Sequence, residues 1–156
     1  MFVLAPALAA SAPPNAPDSN THFSCTRLTA APPARIWAIW TDVGQWPTWD
    51  IALKQATLAG PFAVGTRGTV VPDKGLKATF ELVAVEPGRS YTLRTKLPLG
   101  ALYVKRTLGQ AEGQTQFTHE VWFSGFSKGL FGWALGREYR MLLPKVLEAI
   151  KAQAEQ

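Results

Sequence analysis

The chain is predicted to adopt an α+β fold. A curved, antiparallel, seven-stranded sheet wraps around a long C-terminal helix, and two short helices follow the first strand. Three observations carry this expectation. Six strand-like segments between Lys54 and Ser124 are joined by turns too short for parallel crossovers. After Gly125 the apolar period becomes helical. Three turns, each placed independently, sort the side chains of four strands onto the same two faces. The composition agrees, since 156 residues with 47% hydrophobic and 17% charged content suit one domain with a buried core.

Residues 1–21 read as a flexible Ala/Pro-rich extension, and residues 22–156 as the single domain. Met1–Ala12 is apolar and ends in small residues, as part of an export signal would. It lacks the basic start of such signals, so a cytoplasmic chain is expected, with export as the alternative. His22–Ala30 alternates as a first strand. Pro32-Pro33 sits where a helix can begin, and Ala34–Asp42 carries Ile36, Trp37, Ile39 and Trp40 for a short buried-face helix. Gly44–Asp50 forms a second short helical segment, kept separate by Pro47.

The strands are expected at Lys54–Leu58, Thr66–Pro72, Leu76–Glu86, Ser90–Leu97, Ala101–Gly109 and Thr115–Ser124. In the long C-terminal helix Phe131, Leu135, Leu142, Val146 and Ile150 share one broad stripe, and Pro144 is expected to kink or break it.

Turns fix register. A hairpin centred on Pro87-Gly88 sets Ala84 opposite Tyr91, Leu82 opposite Leu93 and Phe80 opposite Thr95. One centred on Leu99-Gly100 sets Leu97 opposite Leu102, Thr95 opposite Val104 and Leu93 opposite Arg106. One centred on Glu112-Gly113 sets Arg106 opposite His119 and Val104 opposite Val121. One face is then apolar except for Thr95, Arg106 and His119. The other carries a charge ladder, Glu81–Arg94–Lys105–Glu120, beside a Tyr103–Trp122 pair.

The formal charge of +5 invites a nucleic-acid reading, yet the basic residues are dispersed and the ladder brackets two of them with carboxylates. No nucleic-acid partner is expected. No apolar run is long enough to span a bilayer, so no stable membrane insertion is expected. The single Cys25 reads as a buried, inert thiol. Two histidines without ligand spacing support no metal site, and no motif for a cofactor is present.

Several segments together resemble a known family: Trp37–Asp50 with its Trp-Pro-Thr-Trp run, Gly60–Thr66, Val85–Arg89 and Thr118–Gly125. They are similar to the polyketide cyclase/dehydrase branch of the START-like helix-grip superfamily, also called SRPBCC, from about His22 to the C-terminus. The resemblance implies a deep, mainly apolar pocket between sheet and helix for lipids, polyketides or other aromatic molecules.

The expected lining is Trp46, Trp49, Phe80, Leu82, Tyr91, Leu93, Thr95, Val104, Arg106, Phe117, His119, Val121, Leu135 and Leu142. Binding of an apolar small molecule without catalysis is the first reading, by a monomer or weak homodimer. The alternative is a cyclase/dehydrase-type enzyme in which His119 acts as acid or base and Arg106 orients the substrate.

Overall fold

In the computed structural model, which describes residues 18–156, the chain begins with β1 (His22–Thr29) and α1 (Pro33–Thr41). A 3₁₀ segment (Val43–Thr48) leads to β2 (Leu53–Leu58), β3 (Arg67–Pro72), β4 (Ala78–Glu86) and β5 (Ser90–Leu97). Then come β6 (Gly100–Ala111), β7 (Gln114–Gly125), the short α2 (Lys128–Phe131), a π-helical stretch (Gly132–Gly136) and α3 (Arg137–Ala154). The tail and export signal expected within residues 1–17 lie outside the described residues.

The strands form one antiparallel sheet in the order β1-β7-β6-β5-β4-β3-β2. The fold class is therefore as the sequence predicts: a helix-grip sheet curled against α3. Pro33 opens α1 at the position where a missing N–H costs nothing. Pro47 lies inside the 3₁₀ segment, and the Trp46 Nε1 donates to the Trp40 carbonyl at 2.9 Å, tying that segment to α1.

The β6–β7 register is as expected, with Arg106 opposite His119 and Val104 opposite Val121. Two other registers need correction. In β4–β5, Phe80 meets Thr95 and Leu82 meets Leu93, but a bulge at Val83 shifts the rest, so Tyr91 faces Val85 instead of Ala84. In β5–β6 the turn is Pro98-Leu99, one residue earlier than expected, so the pairing slips by two residues. Arg106 now faces Tyr91, Leu93 faces Val104, and Thr95 faces Leu102.

An even slip leaves every side chain on its expected face but changes its partner. The four-strand charge ladder is thereby interrupted. Arg94 reaches Glu81 at 3.4 Å but faces Tyr103, not Lys105. Glu120 pairs with His22 at 2.6 Å. Tyr103 and Trp122 stack on the outer face with ring centroids 5.1 Å apart.

The C-terminal helix also differs. Pro144 lies within α3, which continues through it; the irregularity is the π-helical stretch before Arg137. That stretch changes the phase of the stripe. Leu143, Val146, Leu147, Ile150 and Ala154 are buried, whereas Leu135 is exposed. No helix among the described residues is long and apolar enough to cross a membrane.

Candidate functional site

The site is built where the 3₁₀ segment closes one end of the curled sheet. Trp46 and Trp49 both point into the core, their rings 6.0 Å apart, and Asp50 follows them into a buried position. From the sheet, β5 contributes Tyr91, β6 Arg106 and β7 His119, on three neighbouring strands. From α1 comes Trp40.

Arg106 is only 2% exposed, an unusual place for a charge. Its guanidinium carbon lies 4.9 Å from the Trp46 ring centroid, 4.9 Å from Trp49 and 5.5 Å from Tyr91. Three aromatic faces thus replace part of its lost hydration, each worth up to about 2 kcal/mol in a desolvated setting. Nη1 donates to the Tyr91 hydroxyl, and Nε has no partner among the described residues.

Asp50 lies near enough to be felt electrostatically but forms no ion pair with Arg106. Its Oδ1 accepts from the Ala52 N–H at 3.1 Å. Burial pushes the Asp50 carboxyl above the usual carboxylate range, and Arg106 pulls it back in part. Burial likewise raises Tyr91, against the opposing pull of Arg106.

His119 is fully buried between Trp40, with ring centroids 5.5 Å apart, and Trp49, at 6.2 Å. Burial first, and then the neighbouring Arg106 charge, hold it well below the usual imidazole range. It is therefore neutral at pH 7. Both of its ring nitrogens lack a hydrogen-bond partner among the described residues, as do the indole nitrogens of Trp40 and Trp49. One aromatic layer thus retains hydrogen-bonding capacity that packing does not consume.

A second feature opens beside this layer. A cleft of about 340 Å³ runs between α3 and the rim of the sheet. Its apolar wall includes Ile51, Leu53, Leu102, Phe123, Leu135 and Leu142, with Asp73, Lys74 and Glu138 as charged neighbours. Tyr139 also lines it, and its hydroxyl is coupled to Asp50 and Arg106. Burial, then Asp50, pushes that hydroxyl well above the usual tyrosine range, so it stays protonated. Tyr139 is the link between the cleft and the buried layer.

The expected lining residues divide accordingly. Leu135 and Leu142 lie on the cleft. Trp46, Trp49, Phe80, Leu82, Tyr91, Leu93, Val104, Arg106, Phe117, His119 and Val121 are buried in the core. Trp46 stacks on Phe80 at 5.4 Å, and Trp40 meets Tyr91 edge-on at 6.0 Å, so much of this set packs against itself. Thr95 instead borders a groove of about 500 Å³ along β3, β4 and β5 whose wall carries Arg67, Lys77, Glu81, Arg94 and Lys96. That groove is larger than the cleft, but its charge suits no apolar molecule.

Sequence reasoning missed Asp50 and Tyr139 as site residues. The signal for Tyr139 was its spacing, four residues from both Leu135 and Leu143. Cys25 is half-buried, not buried, and Arg27 Nη1 donates to its sulfur at 3.2 Å; burial still raises the thiol. Among the described residues no group of three metal-ligating side chains comes together.

Comparison with known families matches residues 20–155 to one described as polyketide cyclase/dehydrase and lipid transport. No curated protein matches the chain by sequence. Among solved structures, MLL2253 from Mesorhizobium loti is similar at a TM-score of 0.68 and 22% identity, covering 86% of this chain and 96% of its own. Ara h 8.0201 has a TM-score of 0.66 at 17% identity, with 86% and 97% covered. The di-domain ARO/CYC StfQ of the steffimycin biosynthetic pathway has a TM-score of 0.67 at 13% identity, with 86% and 50% covered. At these identities the likeness is one of fold.

Proposed function

The chain belongs to the polyketide cyclase/dehydrase and lipid transport family, and from that premise we propose that it holds an apolar small molecule with one polar end. The molecule occupies the cleft between α3 and the sheet rim, and holding it, without converting it, is the task. The observation that carries this reading is the cleft itself: an apolar wall that Tyr139 joins to the buried polar layer. Its volume of about 340 Å³ lies at the small end of the range for ligand sites, about 300–1,000 Å³.

Tyr139 is protonated and can donate to a carbonyl, carboxylate or hydroxyl oxygen. Behind it, Arg106 supplies a fixed positive charge. A fatty acid or a phenolic aromatic compound has this division between apolar body and oxygen-bearing end. The test is a native mass spectrum of gently purified protein, followed by displacement of a hydrophobic fluorescent probe by fatty acids and aromatic phenols. A bound small molecule or saturable displacement supports the reading; neither, at any concentration below the solubility of the competitor, overturns it.

The second reading is a cyclase/dehydrase-type enzyme using His119 and Arg106. What favours it is the set of unpartnered nitrogens on His119 and Arg106 within one layer. A neutral His119 is in the correct state to accept a proton, though burial and Arg106 make it a weak base. With a substrate in hand, His119→Ala should abolish turnover and leave binding largely intact. Unchanged turnover rejects the assignment.

A further inference from the structure

We propose that the ridge formed by the β5–β6 turn and the α2–π stretch docks on an anionic lipid bilayer. Phe126 is 99% exposed and Trp133 71% exposed, and Leu130 and Leu99 are exposed with them. Phe126 lies in the turn before α2, Leu130 in α2 and Trp133 in the π-helical stretch, so the three exposed side chains sit on one short, continuous segment. The Ser127 N–H donates to the Leu99 carbonyl at 3.4 Å, so the turn tip sits beside that segment.

Leu99 has φ +57°, the left-handed region that favours glycine or asparagine. A large apolar residue is thus kept at an exposed tip in a backbone state that disfavours it. Such an outlier points to a use outside the fold.

Charge selects the partner. Between Phe126 and Met141 the charged residues are Lys128, Arg137, Glu138 and Arg140. None of the three cations is in an ion pair among the described residues. Arg140 Nη2 donates only to the Asp18 backbone carbonyl, at 3.4 Å. An exposed apolar and aromatic segment that also carries exposed, unpaired cations has the composition of a surface that docks on anionic lipid. A two-fold contact between copies of this ridge would set the same cations against one another.

The ridge also leads to the cleft. Leu135, in the π-helical stretch, is exposed and lines the cleft wall. A docked chain would turn the cleft mouth toward the bilayer, giving an apolar ligand a path that avoids water. This consequence rests on the ligand-binding reading; the docking does not.

The test is co-sedimentation of the full chain with phosphatidylcholine vesicles, with and without phosphatidylglycerol, alongside the Phe126→Ser/Trp133→Ser double variant. Both positions are solvent-exposed, so the variant should keep the wild-type melting temperature. The wild type should bind the anionic vesicles, more weakly as salt rises, and the variant should lose about tenfold or more in affinity. No binding to anionic vesicles overturns the proposal. So does equal binding by the variant, which would assign the effect to residues 1–17 or another surface. A wild-type dimer dissolved by the same substitutions, without vesicle binding, assigns the ridge to a second copy and overturns it too. Probe displacement in vesicle-free solution should be the same for both proteins, which separates this outcome from any failure of the cleft to bind.

Discussion

Arg106 and His119 lie directly opposite each other on β6 and β7, a buried cation beside a buried neutral imidazole. The pair is asymmetric. Arg106 has a hydrogen bond to Tyr91 and three aromatic faces, whereas His119 has only ring contacts. The charge on Arg106 therefore adds to the effect of burial on His119 and opposes it on Asp50 and Tyr91, and removing it should be felt across the layer.

Arg106→Met should destabilise the fold strongly. The substitution keeps an apolar stem in the space between Trp46 and Trp49, but it leaves Asp50 buried with no cation to offset it. Losing the charged hydrogen bond to Tyr91, with the Asp50 carboxyl left buried away from any cation, costs about 1.5–3 kcal/mol. Part of this should return in Arg106→Met/Asp50→Asn, since the second change removes the uncompensated charge. A double-mutant cycle by urea denaturation reads the coupling. Additive effects would show that Asp50 and Arg106 do not communicate.

Stability should fall as pH drops below neutrality, through His119. Unfolded, it gains a proton near its ordinary value of 6.5; folded, it stays neutral to a much lower pH. The unfolded chain therefore binds more protons below pH 6.5, and stability declines from there until the folded value is reached. Asp50 works the other way: its raised folded value gives stability that is lost as pH rises through that value. Comparison with His119→Phe isolates the histidine. The wild type should lose up to about 1.4 kcal/mol per pH unit more than the variant between about pH 6 and 5. Parallel curves for the two proteins would reject a depressed histidine.

Much of this layer was legible in the sequence, and the part that was not has a definite cause. The alternation of β4 to β7 placed Arg106 and His119 on the apolar face and opposite each other, because the Glu112-Gly113 turn was identified correctly. The Tyr91–Arg106 contact was hidden. Turn placement relied on Gly100, whereas the left-handed residue is Leu99, so the hairpin starts one residue earlier. Val83 supplied no bulge signal that would have moved Tyr91 from Ala84 to Val85.

Asp50 is absent from the expected lining because local spacing cannot show that a carboxylate after a 3₁₀ segment turns inward. The expected lining includes the rings of Trp46, Trp49, Phe80, Tyr91 and Phe117. The structure uses most of those rings to pack one another, and opens the cleft at the rim instead, where Phe123 and Tyr139 join aliphatic residues.

Gly68→Ala should be costly although the change is a single methyl group. Gly68 is buried in β3, and a Cβ there would lie 2.3 Å from the Phe80 ring and 2.5 Å from the Thr57 carbonyl oxygen. Phe80 is itself held by Trp46, and Thr57 is backbone of the neighbouring strand, so neither can move freely. Overpacking of this kind costs about 1–3 kcal/mol. A melting temperature equal to wild type would mean that β2 and β3 separate more easily than their pairing suggests.

Leu142→Trp should close the cleft without unfolding the chain. Leu142 is half-buried on α3 and lines the cleft with Leu135 and Tyr139. An indole there has about 340 Å³ of space to enter, so little strain is expected and the stability change should stay below about 1.5 kcal/mol. The same indole occupies the volume an apolar ligand would need. Displacement of a hydrophobic probe should weaken by about tenfold or more, which corresponds to about 1.4 kcal/mol or more of lost binding. Lys145→Trp, on an exposed position of the same helix, controls for the added aromatic surface and should leave displacement unchanged. If both variants bind the probe as the wild type does, the ligand lies elsewhere. If both weaken equally, the probe is reporting exposed surface. Only loss in Leu142→Trp alone places the apolar molecule between α3 and the rim of the sheet.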